Sequence, residues 1–97
     1  MVSEDASALG PDGRPLLEFP TDYPIKVVAR RDAFARAALD AIVRRHAPDL
    51  EDARISERAS REARYVAVTY VIVARSRGQV VDLVGELTAA HGVVMVI

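Results

Sequence analysis

The sequence contains no cysteine, one lysine, two histidines and no long uninterrupted apolar run. The absence of cysteine excludes disulfides, thiolate metal sites and cysteine nucleophiles, and it fits a reducing cytosol. Two histidines alone leave a zinc site short of ligands. The longest apolar stretch, within 65–74, is too short to span a bilayer as a helix, and the first residues lack the pattern of a signal peptide. We therefore expect a cytoplasmic protein with no cofactor, no metal and no membrane contact.

The sequence has no large excess of either charge, with 13 basic and 14 acidic residues. A nucleic-acid-binding domain usually shows a basic excess or stripe. RNA-recognition domains also stack bases on aromatic side chains of neighbouring strands. Tyr65 and Tyr70 have opposite parity in one predicted strand, so they cannot share such a surface. Binding to nucleic acid is therefore disfavoured.

Catalytic motifs are also missing from the sequence. The five glycines form no phosphate-binding loop, and there is no G-x-S-x-G nucleophile turn. The acidic loop at 49–52 lacks the spacing of a calcium loop. His46 and His91 each fall at the end of a predicted helix, where an imidazole is favoured electrostatically. The sequence thus predicts a protein that is not an enzyme.

The chain of 97 residues, 51% of them hydrophobic, is long enough for one core. Residues 1–14 show no helical or strand period and predict a disordered acidic tail. Segment 15–22 is apolar around Phe19 and is restricted by Pro20, so it predicts an extended arm that packs on the edge of the domain. We therefore predict a single domain over 15–97.

Periodicity and β-branched content predict six elements in this domain. Asp32 is the expected N-cap of the first helix, and Pro48 ends that helix. Ser76 and Gln79 form a capping-box pattern at the second helix, with Gly92 as its left-handed C-cap. The elements are a strand at 25–29, a helix at 32–46 with a stripe through Phe34, Ala38, Ala41, Ile42 and Arg45 that Leu39 and Val43 widen, strands at 55–60 and 65–75, a helix from 76, and a strand at 93–97.

The order strand, helix, strand, strand, helix, strand restricts the topology, because each strand–helix–strand unit crosses over right-handed. The solution is a ferredoxin-like α+β sandwich, with two helices on one face of a four-stranded antiparallel sheet. The first and third strands lie in its centre. In strand 65–75 and in strand 93–97, both alternating sets of side chains are largely apolar. A half-exposed strand would alternate apolar with polar residues, so the second sheet face is expected to be covered by another copy, by the arm, or by a ligand or partner.

Several short stretches now indicate a family. They are L-L-E-F-P-T at 16–21, Lys26-Val27, R-H-A-P at 45–48, Tyr65 and Val68, Glu86-Leu87 and M-V-I at 95–97. In this order they resemble the YbeD-like small bacterial proteins, a family of unknown function. The resemblance covers 16–97 and implies a ferredoxin-like fold, similar in shape to regulatory domains that bind amino acids at dimer interfaces. Likeness of fold does not carry function, and the family has no established catalytic residues.

One turn departs from the family pattern. The family tends to have a Ser-Lys-Gly-x-Tyr type turn before the long strand, whereas this chain has Ala63 where glycine is usual. Alanine is strained at positive φ. Either the turn differs here, or it never needed glycine.

The expected function is that of a small cytosolic regulatory or adaptor domain that acts through protein–protein contacts of its sheet face, as a homo-oligomer or with a protein partner. The first alternative is a domain that senses a small molecule, with Arg30, Arg31 and Arg75 able to hold an anion. The second alternative is RNA binding. Lys26, beside the second sheet face, is the residue most expected to meet a partner. The residues predicted to bind a partner or ligand are Glu18, Phe19, Pro20, Lys26, His46 and Tyr65.

Overall fold

The computed structural model describes residues 18–97. The predicted tail at 1–14, and the part of the predicted arm before Glu18, lie outside these residues. Within residues 18–97, neither helix is long and apolar enough to cross a membrane. The elements are β1 (Thr21–Arg30), α1 (Arg36–His46), a 3-10 turn (Asp52–Arg54), β2 (Ile55–Ala59), β3 (Tyr65–Ala74), α2 (Arg77–Thr88) and β4 (Val93–Val96).

The described strands form one antiparallel sheet in the order β2-β3-β1-β4. The two central strands pair along their whole length, from Thr21 opposite Ala74 to Arg30 opposite Tyr65. The predicted ferredoxin-like α+β fold and its strand order are therefore confirmed. The pairing also places the C-terminal end of β1 beside the N-terminal end of β3.

β1 is longer than the predicted strand and takes in Pro24. The backbone N–H and C=O of Lys26 both bond to Ile97, at 3.1 and 2.8 Å. Pro24, two residues earlier, directs its backbone to the same side, where the described residues contain no pairing strand. Its missing N–H therefore costs no bond of the sheet, which is how a proline is tolerated in a strand.

α1 begins later than predicted. The carbonyl of Arg30 accepts hydrogen bonds from the N–H groups of Ala33 and Phe34, so a tight turn follows β1. The helix starts after Ala35, which makes no side-chain cap bond. The prediction that Asp32 caps this helix is wrong, because pairing with β3 keeps the chain extended through Arg30 and leaves Asp32 in the turn.

The buried stripe of α1 is also rotated from the predicted one. Leu39 and Val43, predicted only to widen the stripe, are its buried residues, whereas Ala38, Ala41 and Arg45 are exposed. A shift of one position turns a helix by about 100°. The larger aliphatic side chains gain more from burial than alanine does, and they decide which face meets the sheet.

α2 begins after the predicted N-cap Ser76, although Gln79 bonds back to the N–H of Arg75 and not to that of Ser76. The N–H of Gln79 donates to Ser76 Oγ at 3.1 Å, and Gln79 Oε1 accepts from the N–H of Arg75 at 2.6 Å. Gln79 Nε2 also donates to the carbonyl of His46 at 2.8 Å, which ties the start of α2 to the end of α1. Gly92 has the predicted positive φ, 83°, but it lies three residues past the C-cap Ala89 and serves the turn into β4 instead.

A polar network crosses the helical side of the sheet. The hydroxyl of Tyr70 in β3 donates to Asp40 Oδ1 of α1 at 2.6 Å. Arg36 donates to the same carboxylate and to Glu57 of β2, each at 2.8 Å. Burial, followed by the bond to Asp40, raises the pKa of Tyr70, and the bond to Asp40 raises the pKa of Arg36. The network positions α1 over β2 and β3.

Candidate functional site

The side of the sheet away from the helices is the first candidate site, and we call it the open face. Cross-strand partners point to the same side, so the register assigns its residues. In β3 the buried set begins with Val66, and the open-face set begins with Tyr65. The open face comprises Asp22, Pro24, Lys26, Val28, Arg30, Ser56, Arg58, Tyr65, Ala67, Thr69, Val71, Val73, Met95 and Ile97.

Large apolar side chains on the open face reach solvent. Tyr65 is 43% exposed, Met95 48% and Ile97 71%, which is well above the exposure of the core residues. The open-face side chains of β3 that follow Tyr65, namely Ala67, Thr69, Val71 and Val73, are half-buried. The open face therefore carries accessible apolar side chains on β3 and β4, as expected from the two apolar sets in the sequence.

A β-bulge interrupts the pairing of β4. Val28 pairs with Met95 and Ala29 pairs with Val93, so Val94 is the extra residue. As a result Val93 packs against the core, although strict alternation predicts that it shares a side with Met95. Val94 is 49% exposed and lies at the Tyr65 end of the sheet.

Unpaired positive charge gathers on the same side. Within residues 18–97, Lys26, Arg31, Arg58 and Arg61 make no ion pair. Lys26 and Arg58 belong to the open face, and the other two flank its Tyr65 end. Five arginines elsewhere have carboxylate partners: Arg36 pairs with Asp40 and Glu57, Arg44 with Asp52, Arg45 with Glu86, Arg54 with Asp22, and Arg75 with Asp49.

The second candidate site is a shallow cavity of about 700 Å³ at the end of the sheet where β1 finishes and β3 begins. Two backbone bonds hold its walls together. The N–H of Arg31 donates to the carbonyl of Arg64 at 2.9 Å, and the N–H of Arg30 donates to that of Gly92 at 2.8 Å. We call it the arginine cavity. It is lined by Arg30, Arg31, Asp32, Ala63, Arg64, Tyr65 and Val94.

The turn before β3 forms one wall of the arginine cavity. Ser60 closes it, because its carbonyl accepts from the N–H of Ala63 at 2.9 Å and its Oγ accepts from the N–H of Tyr65 at 3.1 Å. Ala63 has φ 57°, in the left-handed region. The turn therefore does need the conformation that glycine favours, and this chain adopts it with alanine.

Ala63→Gly is expected to stabilise the protein by about 0.5 kcal/mol. Left-handed alanine costs about 1–2 kcal/mol, and the greater freedom of glycine in the unfolded chain returns part of the gain. Urea unfolding measures the difference. Ala41→Gly, on the exposed face of α1, is the control and should lose about 1 kcal/mol. Equal losses in both variants would show that Ala63 carries no strain.

The residues predicted to bind a partner or ligand do not form one cluster. Lys26 and Tyr65 lie on the open face, four residue pairs apart along the sheet, which is about 13 Å. Glu18 and Pro20 are exposed at the opposite end, ahead of β1, and Phe19 packs against the core. The binding roles of these residues stay predictions.

His46 lies on the other side of the sheet. Its Nε2 is 2.8 Å from Glu86 Oε1, and Arg45 pairs with the same carboxylate. His46 therefore joins the end of α1 to α2. Within residues 18–97 no three His, Cys, Asp or Glu side chains come together in a group that could hold a metal ion.

Arg64 and Val94 line the arginine cavity and were not predicted from the sequence. The signal for Arg64 was available, because antiparallel pairing of the central strands sets the end of β1 beside the start of β3. The same pairing separates Arg75 from Arg30 and Arg31. Arg75 follows Ala74, at the opposite end of the sheet, and bonds to Asp49 at 2.7 Å. The three arginines therefore do not share one anion site.

Comparison with known proteins decides the family. The sequence-family model described as "Protein of unknown function (DUF493)" matches residues 14–97. This chain belongs to the DUF493 family. Among its relatives, a UPF0250 protein of Nitrosomonas europaea is 38% identical over 70% of this chain and 78% of its own length. One of Hahella chejuensis is 34% identical and one of Pseudomonas fluorescens 37% identical, each over 86% of this chain and 91% of the relative.

The YbeD-like resemblance read from the sequence is thereby confirmed, and with it an uncharacterised bacterial family. No solved structure matches this chain. Two stretches that carried the resemblance to this DUF493 family meet in the fold, because His46 of R-H-A-P bonds to Glu86 of Glu86-Leu87. That contact accounts for both residues by helix packing.

Proposed function

We propose that this DUF493 protein is a non-catalytic docking domain of the cytoplasm, whose open face binds an acidic, partly apolar segment of a protein partner. The observation that carries the proposal is the combination on one surface of exposed apolar side chains with Lys26 and Arg58. Both cations are exposed, and neither has an ion-pair partner within residues 18–97.

Charge favours an acidic partner over a second copy of the same face. Two open faces in contact would set Lys26 and Arg58 of one chain against those of the other, and like charges across an interface are costly. A carboxylate-bearing surface would neutralise both. The acidic side chains that lack an ion pair in the described part of the chain, Glu18, Glu51 and Asp82, lie off the open face.

The apolar part of the open face suits a protein interface. Tyr65, Met95 and Ile97 are exposed on it. Aromatic residues, methionine and arginine are enriched in such interfaces. The open face therefore offers apolar side chains on both sides of Lys26, which lies in the central strand β1, and Arg58 on the edge strand β2.

Two observations support a protein ligand over RNA and over catalysis. Tyr65 is the exposed aromatic side chain of the open face, whereas Tyr23 pairs with Ile72 on the helical side and packs against the core. Base stacking uses two or three aromatics on one surface. On the opposite side of the sheet, His46 is engaged with Glu86 between the helices.

The test starts with charge reversal on the open face. Immobilised wild-type protein, the Lys26→Glu/Arg58→Glu variant and the control Val81→Glu are each used to capture proteins from bacterial lysate. Val81 is 58% exposed on α2, so its variant adds negative charge on the helical side. A captured protein is then purified, and its Kd is measured against all three. Reversal should weaken binding at least about tenfold, and the control should bind like the wild type.

Two results would overturn this proposal. One is a captured protein whose Kd is the same for the double variant and the wild type. The other is a dimer of the full chain that survives dilution in sedimentation runs and is lost on Met95→Glu, since that would put a second copy on the open face.

A further inference from the structure

The arginine cavity brings three arginines together and neutralises them only in part. Arg30, Arg31 and Arg64 line it, against the single carboxylate of Asp32. The Nε of Arg30 is 3.6 Å from Asp32 Oδ1, which is too long for a hydrogen bond. The Nε of Arg64 is also 3.6 Å from Glu62 Oε2. Within residues 18–97 no carboxylate pairs with Arg31, and three guanidinium groups therefore keep their donors free.

The backbone around these groups is already built. The bond from Arg31 N–H to the carbonyl of Arg64 joins the two segments that carry the arginines. The left-handed turn at Ala63 and the bulge at Val94 shape the remaining walls. Bulges and residues held at positive φ are both common beside functional sites. Little ordering of the backbone is thus left for a ligand to bring about.

We propose that the arginine cavity binds a small organic ligand with a doubly charged oxyanion group, a phosphate monoester or a dicarboxylate. Guanidinium groups bind both through paired N–H donors. Arg31 has no carboxylate partner within residues 18–97, and Arg30 and Arg64 can exchange their ion pairs at 3.6 Å for shorter bonds to the ligand. Tyr65 and Val94 lie at the same opening and receive the apolar part of the ligand. The volume of about 700 Å³ falls in the range of small-molecule sites. The cavity shares Arg30 and Tyr65 with the open face, but this proposal does not rest on the docking function.

The test is a titration of the ¹⁵N-labelled full chain at pH 7.5 and fixed ionic strength. The probes are phenyl phosphate, phthalate and, as the singly charged control, benzoate. We expect saturable shifts of the amide signals of Arg31 and residues 63–65, with one dianion binding at least tenfold tighter than benzoate. The dianion that binds tighter tells phosphate chemistry from carboxylate chemistry.

Two glutamine variants locate the site. Arg31→Gln should weaken binding of the better dianion at least tenfold, and Arg58→Gln, which removes the same charge outside the cavity, should change it less than twofold. Shifts that do not saturate, equal affinity for benzoate, or equal losses in the two variants would overturn the proposal. Because Arg58 serves the open face and not the cavity, dianion binding that is kept while partner binding is lost in the Lys26→Glu/Arg58→Glu variant separates this site from the docking function.

Discussion

Gly92→Ala is expected to lower the free energy of unfolding by about 2–5 kcal/mol. Gly92 has φ 83°, where alanine costs about 1–2 kcal/mol. An added Cβ would also lie 2.8 Å from the carbonyl carbon and oxygen of Ala33 and from the nitrogen of Phe34. These are backbone atoms, so no rotamer change relieves the contact, and overpacking of this kind adds about 1–3 kcal/mol.

Urea unfolding followed by circular dichroism measures this loss. Gly85→Ala is the matched control, because Gly85 lies within α2 and its added Cβ meets nothing within 4 Å. That variant should gain about 0.5–1 kcal/mol from helix propensity. A Gly92→Ala protein within 1 kcal/mol of the wild type would mean that the 31–34 turn moves away freely. Because the Gly92 carbonyl also holds Arg30, the variant should in addition weaken dianion binding at the arginine cavity.

Tyr70→Phe is expected to cost about 1.5–3 kcal/mol at pH 7, the usual range for a hydrogen bond to a charged group. The substitution keeps the ring in the core and removes the 2.6 Å bond to Asp40, whose carboxylate then has Arg36 as its remaining partner. Urea unfolding at pH 7 gives the difference. Tyr65→Phe, at an exposed position, is the control and should change stability by less than 0.5 kcal/mol.

The same substitution predicts a change in alkaline stability. Burial raises the pKa of Tyr70 above its ordinary value, so the hydroxyl stays neutral in the fold after it has ionised in the unfolded chain. This contribution is fully present below about pH 10, the value for an unfolded tyrosine, and is lost as the pH rises through the folded pKa. Between pH 9 and 11 the wild type should therefore lose stability more steeply than Tyr70→Phe. Parallel curves would show that the hydroxyl of Tyr70 does not carry this dependence.

Several features of this protein depend on residues close together in the chain and can be predicted from the sequence. The bond from Gln79 to Ser76 needs residues three apart, and β3 needs only its own run of Val, Ile and Tyr. Chain connectivity and the right-handed crossover then decided the strand order. The two apolar sets of β3 likewise indicated that the open face is more apolar than an ordinary exposed sheet face.

The sequence by itself therefore determined the element order and the apolar character of both sheet faces, since these depend on neighbours within a few residues, and through the crossover rule it also determined the topology. Only the tertiary structure decided where α1 begins, that Pro24 lies in a strand and that Val94 is a bulge. Each of these depends on strand register, which joins residues far apart in the chain. A shift of one residue in that register would exchange the two faces of the sheet and change which charges meet.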